Sequence, residues 1–349
     1  MTLVELCEQL RRNAEAVDRR GAWPEEQMDL CREAGVFRWF VPTEYGGWQW
    51  SERRQLEGYL ALSRSCLTTA FILTQWNAAC KRMLAASSSD VNHGARFGSD
   101  LASGRLFVTV GISHLTTSRR HVAKPVLTAT ETADGDFVID GFSPWVTGAP
   151  AADWIVTGAT LDDSRQILCA VPTAQAGVIA GPGAKLVGLS ASCTDAVRFE
   201  RVVVPKSDVL AGPIENVMQV GVGGGTGGLQ TSTLAIGLTG AALEFVIDEA
   251  SRRGDLCEPT EKLTEDHARL QSALLELADG FPTISASELR QQANSLVLRT
   301  TQAAMAAAKG AGYVADHPVG RWCREALFFL VWSCPQGVLA ANLCELAQS

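Results

Sequence analysis

Apolar residues near the start of the chain recur at spacings of three and four. Leu3, Leu6, Cys7, Leu10 and Val17 therefore fall on one face of an amphipathic helix. A second helix is predicted across Cys31: Pro24 sits in its first turn, where a missing donor is tolerated, and Gly35 closes it as a left-handed cap. Tyr59 to Ala85 runs largely apolar, as a core helix or helix pair would. Between Leu106 and Pro205 the period drops to two. Val126 to Thr132 alternates apolar and polar residues and joins Asp136 to Asp140 across Ala133, Asp134 and Gly135, where Asp-Gly supplies the positive φ of a tight hairpin. Asp153 to Thr160, Gln166 to Val171 and Ala196 to Val204 are further short β-rich runs. Helical periodicity then returns through Leu234 to Arg253, Thr264 to Leu277, Ser287 to Lys309 and Pro318 to Leu346. The pattern predicts an α+β multidomain chain: an all-helical domain over 1–104, an antiparallel β-barrel or sandwich over 105–212, and a helical bundle over 213–349.

Composition narrows the classes. With 46% hydrophobic and 19% charged residues over 349 positions, the chain has ample material for a core and does not resemble a disordered one. Thirty basic against 38 acidic residues leave a net charge of −8, which repels phosphate backbones, so no nucleic-acid partner is expected. The ten cysteines form no C-x-x-C pair and read as buried, reduced thiols, which favours the cytoplasm. The N-terminus has no signal-peptide core. The charge-free run Asn216 to Leu243 is long enough to span a bilayer, but its glycines, glutamines and threonines suit a glycine-rich loop followed by a buried helix, so no membrane insertion is expected.

Most short motifs fail on context. Gly223 to Gly228 contains G-x-G-x-x-G, yet no clear strand precedes it and no β-α-β alternation follows, so a hinge is the better reading than a dinucleotide loop. The five histidines and the carboxylates show no metal-ligand spacing, and no G-x-S-x-G elbow is present.

Ordered phrases along almost the whole chain carry more. Val41-Pro42-Thr43-Glu44-Tyr45-Gly46-Gly47, Gly141 to Thr147 (G-F-S-P-W-V-T) followed by Ala152-Asp153, Leu189 to Pro205, Gly310-Ala311-Gly312-Tyr313, and His317-Pro318-Val319 with Arg324-Glu325-Ala326 together resemble the acyl-CoA dehydrogenase family of flavoproteins, whose P-x-E-Y-G-G phrase follows a third helix. The resemblance implies FAD. The residues suit a flavin, since Trp145 offers ring stacking and Thr147, two positions on, a hydroxyl from the same strand face. In place of the family's T-E-P-x-x-G-S-D loop stands Ile112-Ser113-His114-Leu115-Thr116-Thr117-Ser118-Arg119. Here Ile112, Ser113 and Ser118 are candidate cofactor contacts, and His114 replaces the acidic residue. The family's contact from a neighbouring subunit maps to Arg253, Gly310 and Gly312, but the Phe-Gly after the arginine is missing. A homodimer or homotetramer is implied, and the apolar helices from Leu234 and Ser287 agree with it.

Desaturating an acyl-CoA thioester needs a carboxylate beside the substrate α-carbon. The family's glutamate falls at Ser333 in Trp332-Ser333-Cys334-Pro335, and its alternative position falls at Gly227 or Gln230, none of them acidic. Three readings follow. One is an FAD-dependent, acyl-CoA dehydrogenase-like oxidoreductase with another base, for which Glu325 is nearest but better suited to a structural ion pair. The second is a flavin monooxygenase relying on polar groups such as His114, Ser113 or Ser333. The third is a non-catalytic relative with an assembly role.

Overall fold

The computed structural model describes residues 1–86, 92–116, 124–219 and 228–347. Helices open the chain: α1 (Leu3–Arg20), α2 (Glu25–Glu33), α3 (Glu52–Ser65), α4 (Leu67–Ala85) and α5 (His93–Ser103). α1 starts in a capping box, with the Thr2 amide donating to the Glu5 carboxylate at 2.7 Å and the Glu5 amide to the Thr2 hydroxyl at 3.3 Å. Its predicted face is largely the buried one, with Leu6, Leu10, Ala14 and Val17 inside. Tyr59 to Ala85 is a pair of helices that breaks at Cys66, whose backbone is extended. The Val41 to Gly47 phrase does not follow a third full helix. It follows the short 3-10 stretch Val36–Phe40, because Gly35 at φ 71° ends α2 and only five residues remain before the turn.

The middle layer is one eight-stranded sheet: β1 (Val108–Gly111), β2 (Leu127–Glu131), β3 (Phe137–Val146), β4 (Trp154–Thr160), β5 (Gln166–Pro172), β6 (Val178–Ala180), β7 (Asp195–Val204) and β8 (Val209–Ile214), with the single helical turn α6 (Ser113–Thr116) after β1. The path runs β6-β7-β3-β2-β4-β5-β8, and β1 pairs with β4. Gly135, at φ 83°, makes the β2–β3 turn as the Asp-Gly pair predicts. Pairing is antiparallel except at β4, which takes β1 in parallel from Val108↔Trp154 to Gly111↔Thr157 and touches β2 in parallel at Thr128↔Thr160. Alternation alone could not reveal this. β1 is buried at all four positions, and its partner lies beyond a long connection that itself folds as the β2–β3 hairpin.

The chain closes with α7 (Leu229–Ala250), α8 (Cys257–Ala278), α9 (Ala286–Ala308), α10 (Pro318–Ala326) and α11 (Gln336–Leu346). α7 is long and apolar enough to cross a membrane, yet 78% of its most apolar window is buried inside the fold. It packs on α3 at close range: a Cβ at Gly237 would stand 1.9 Å from the Ser63 hydroxyl oxygen. The run Pro318 to Leu346 is not one helix. A 3-10 turn at Leu327–Leu330 and a break before Pro335 divide it, since proline disfavours helical backbone in the residue before it. One apolar core joins residues from both helical layers and the sheet, among them Leu10, Trp76, Val156, Leu234 and Phe329. A second fills the sheet interior around Ile139, Ile155 and Phe199. α10 is bolted to α1 by charge: Arg321 donates to Glu15 at 2.7 Å and to Glu325 at 3.1 Å, and Arg324 pairs with Asp18. No disulfide forms among the described residues; Cys31, Cys66, Cys80, Cys169 and Cys193 are buried as expected, Cys7, Cys323 and Cys334 are half-buried, and Cys257 and Cys344 are exposed on the C-terminal helices.

Candidate functional site

A cavity of about 480 Å³ opens where α4, the end of β3, the loop before β7 and the segment after α10 meet. That is within the range of about 300–1,000 Å³ usual for small-molecule and cofactor sites. α4 sends Phe71 and Gln75 into it from one helix face, at spacing four. The segment after α10 supplies Phe328 and Trp332, stacked with centroids 5.1 Å apart and planes at 13°, and Phe71 meets both edge-on at 4.8 and 5.1 Å. Trp145, 51% exposed, adds a further aromatic surface at the rim.

The polar side is a chain of hydroxyls. Thr147 and Thr194 lie 2.9 Å apart and Thr194 and Ser192 2.8 Å apart, all buried. The backbone behind them is fixed, because the Thr109 hydroxyl donates to the Thr147 carbonyl at 2.6 Å and the Gly148 amide to the Ser192 carbonyl at 2.9 Å. Ser113 also faces the cavity, and its Oγ is buried with no hydrogen-bond partner among the described residues. Three non-glycine residues beside the site hold left-handed backbone: Leu189 at φ 63°, Cys193 at 46° and Ser333 at 45°. Such conformations cost of order 1–3 kcal/mol each and are found where surrounding structure imposes them.

Of the candidates from the sequence, the structure brings Ser113, Trp145, Thr147 and Ser333 to this one cavity. Ile112 packs against the core instead. His114 does not line the cavity: α6 is a single helical turn, which points consecutive side chains roughly 100° apart, so Ser113 and His114 face different ways. The His114 Nε2–H donates to the Gly158 carbonyl at 2.8 Å while Nδ1 has no partner, and desolvation lowers the ring's pKa. Arg253, Gly310 and Gly312 also lie off the cavity lining. Arg253 donates to the Ala307 carbonyl at the end of α9 at 2.8 Å and pairs with Glu249 and Asp255, the role a cation takes among free helix-end carbonyls. The glycines form the 3-10 turn Lys309–Tyr313 beside it. Glu325 is 1% exposed, bound to Arg321 and absent from the lining, as a structural ion pair would be. Ser118 and Gly227 lie outside the described residues, as does most of the Gly223 to Gly228 loop, whose last glycine caps α7. Phe71, Gln75 and Phe328 also line the wall and fall in none of the phrases quoted from the sequence, whereas Leu189 and Arg324 lie within them; only tertiary packing brings these residues together.

Among the described residues the lining holds no Asp or Glu, and Arg324 is its single charged side chain. The segments 117–123 and 220–227 contain no acidic residue either. The residues present fit a flavin ring: aromatic walls for its faces, an unpaired buried hydroxyl at Ser113, and fixed hydroxyls at Thr147 and Thr194 for a polar edge.

A helical domain, a β-sheet layer and a helical domain around such a cavity define an acyl-CoA dehydrogenase-type scaffold. Residues 5–104 match the acyl-CoA dehydrogenase N-terminal domain. Short-chain specific acyl-CoA dehydrogenase of Mus musculus is 24% identical over 342 residues, 90% of this chain and 80% of that protein. Dibenzothiophene monooxygenase of Rhodococcus qingshengii is 26% identical over 215 residues, 60% of this chain; the match spans about half the length of that relative, 50%. The fold superposes on the glutaryl-coenzyme A dehydrogenase–glutaryl-CoA complex with a TM-score of 0.81 at 18% identity, covering 99% of this chain and 95% of that one. It superposes on dibenzothiophene monooxygenase from Paenibacillus sp. A11-2 with a TM-score of 0.80 at 17% identity and the same coverage. Residues 5–104 thus form an acyl-CoA dehydrogenase N-terminal domain, and the chain as a whole has the acyl-CoA dehydrogenase fold.

Proposed function

We propose that this protein is a flavin-dependent oxidoreductase that works without a carboxylate base, and that it transfers oxygen to a small, flat, apolar substrate. The observation that carries this reading is the cavity lining itself: aromatic and aliphatic side chains, hydroxyls, Gln75 and Arg324 but no carboxylate among the described residues, with Ser333 where the resemblance puts the family's base. Proton abstraction from a saturated thioester has no acceptor there, since a serine hydroxyl without a partner base stays protonated at neutral pH. The similarity to dibenzothiophene monooxygenases supports the same reading.

A reduced flavin bound in the cavity supplies the two electrons with which dioxygen gives one oxygen atom to the substrate and the other to water. The rest falls to the chain. Phe71, Phe328 and Trp332 hold a flat substrate and keep water out, while Ser113, Thr147 and Thr194 orient polar edges. The cofactor we propose is FAD, with its ring at Trp145 and Thr147. By the resemblance, the Gly310 to Gly312 turn and Arg253 of a second subunit would contact its far end, which requires Arg253 to exchange its ion pairs with Glu249 and Asp255 for that contact. A homodimer or homotetramer follows. The exposed Leu339, Leu343 and Leu346 on α11 support it, spaced as one helix face. As part of the same proposal, cysteines with no C-x-x-C pair, several of them buried in the core, favour a cytoplasmic setting.

The test is to purify the protein, extract and identify any flavin, reduce it without oxygen, and admit dioxygen with indole or dibenzothiophene as probe. A product heavier by one oxygen atom is expected. A protein that takes up neither FAD nor FMN points to an assembly role, and rapid bleaching of its flavin by an acyl-CoA thioester returns it to desaturation.

A further inference from the structure

Arg290 and Asn294 stand one turn apart on α9, 3% and 0% exposed, and both act on the same stretch of chain. The Arg290 Nη2 donates to the Trp332 carbonyl at 2.8 Å, and the Asn294 amide to the Phe329 carbonyl at 3.0 Å. Past the end of α10 these carbonyls have left the regular helical ladder, so side chains take over as their donors. The stretch they hold carries Phe328, Trp332 and left-handed Ser333 into the cavity.

Arg290 is held at a cost. Its Nε and Nη1 are buried with no hydrogen-bond partner among the described residues, and no carboxylate pairs with it there. Burial pushes its pKa down to about 10. A methionine of similar reach would fill the same space without an unmet charge, and apolar replacement of a buried charged group is often neutral or stabilising. Helix packing alone therefore gives no reason for an arginine here.

We infer that Arg290, backed by Asn294, is a positioning residue: its hydrogen bond to the Trp332 carbonyl sets the aromatic wall and the Ser333 turn of the cavity, at the expense of stability. That the cavity is the functional site rests on the reading above; the positioning itself does not require a flavin.

The experiment compares the full chain with Arg290→Met and Arg290→Gln by hydrogen exchange, thermal unfolding and FAD titration. Arg290→Met should have an unchanged or higher Tm, while the amides of 328–334 exchange about tenfold faster than in the parent and those of other segments do not. Its affinity for FAD should fall about tenfold. Arg290→Gln keeps a donor for the Trp332 carbonyl and should restore slow exchange and affinity. Unchanged exchange at 328–334 in Arg290→Met, a lowered Tm or a failure to fold in that variant, or no restoration by Arg290→Gln would each overturn the inference. If the parent binds no FAD, the functional reading fails while the exchange rates still decide the positioning role.

Discussion

The hydroxyls of Thr147 and Thr194 lie 2.9 Å apart in the cavity wall, joining the end of β3 to the entry of β7. Thr194 is also bonded to Ser192 at 2.8 Å, so it keeps a partner when Thr147 changes. Thr147→Val should therefore lose one buried hydrogen bond, about 1 kcal/mol of stability by urea unfolding. It should also weaken flavin binding in a fluorescence titration. An unaltered affinity would remove Thr147 from the cofactor contacts.

Ser333, which the resemblance aligns with the family's base, lines the cavity at φ 45°. Anaerobic mixing of the parent with butyryl-CoA should leave its flavin oxidised. Ser333→Glu should bleach measurably, because a placed general base contributes about 10² to 10⁴ in rate. Stopped-flow absorbance reads both; fast bleaching of the parent would reveal a base elsewhere.

Glu325 lies fully buried against Arg321, which also holds Glu15. Burial pushes the Glu325 carboxyl up, to about 7, against the pull of Arg321. Glu325→Ala leaves a buried guanidinium short of one partner and should cost about 3 kcal/mol or more. Below its unfolding temperature, the variant should keep the flavin affinity of the parent, since Glu325 does not line the cavity. A selective loss of turnover in Glu325→Gln would make this residue the missing base.

The histidine contribution to stability should fall as the solution is acidified below pH 6.5, while Glu325, raised to about 7, acts in the opposite sense. His114 and His267 each donate one ring N–H to a backbone carbonyl, at 2.8 Å to Gly158 and 3.1 Å to Ile236, and desolvation lowers both from the ordinary 6.5. The unfolded chain takes up protons near pH 6.5 that the folded one refuses. This contribution is complete above that pH and is lost as pH falls through the lowered folded values. In thermal melts from pH 7.5 to 5.0 the Tm of the parent relative to His114→Gln should decline with falling pH, since Glu325 contributes equally to both.

Gly237 lets α7 approach α3: an added Cβ would lie 1.9 Å from the Ser63 hydroxyl oxygen and 2.8 Å from the Leu60 carbonyl oxygen. Gly237→Ala should cost about 1–3 kcal/mol by overpacking. Adding Ser63→Ala should recover part of it, and the Leu60 carbonyl, a backbone atom, should prevent full recovery.

The periods of three to four and of two were enough to order the layers as helices, sheet and helices, because burial of one face imposes those repeats directly on the sequence. The hairpin at Gly135 and the cap at Gly35 were equally readable, since each rests on a local φ that glycine favours. Trp145 and Thr147 could be singled out because they sit inside an ordered phrase, and Ser333 by its distance from Arg324-Glu325-Ala326. The parallel pairing of β1 with β4 could not, because partner choice is a long-range matter that four buried residues do not encode. Nor could the direction of His114, which the turn of α6 decides, or the ion pairs that keep Arg253 at its own helix end. Phe71, Phe328 and Trp332 meet only once α4 and the end of α10 are packed together, and Arg290 gains its meaning only from the carbonyl it faces. Local repeats and turns are written in neighbouring residues, whereas a cavity is made of side chains hundreds of positions apart, and their meeting depends on the packing of the whole chain.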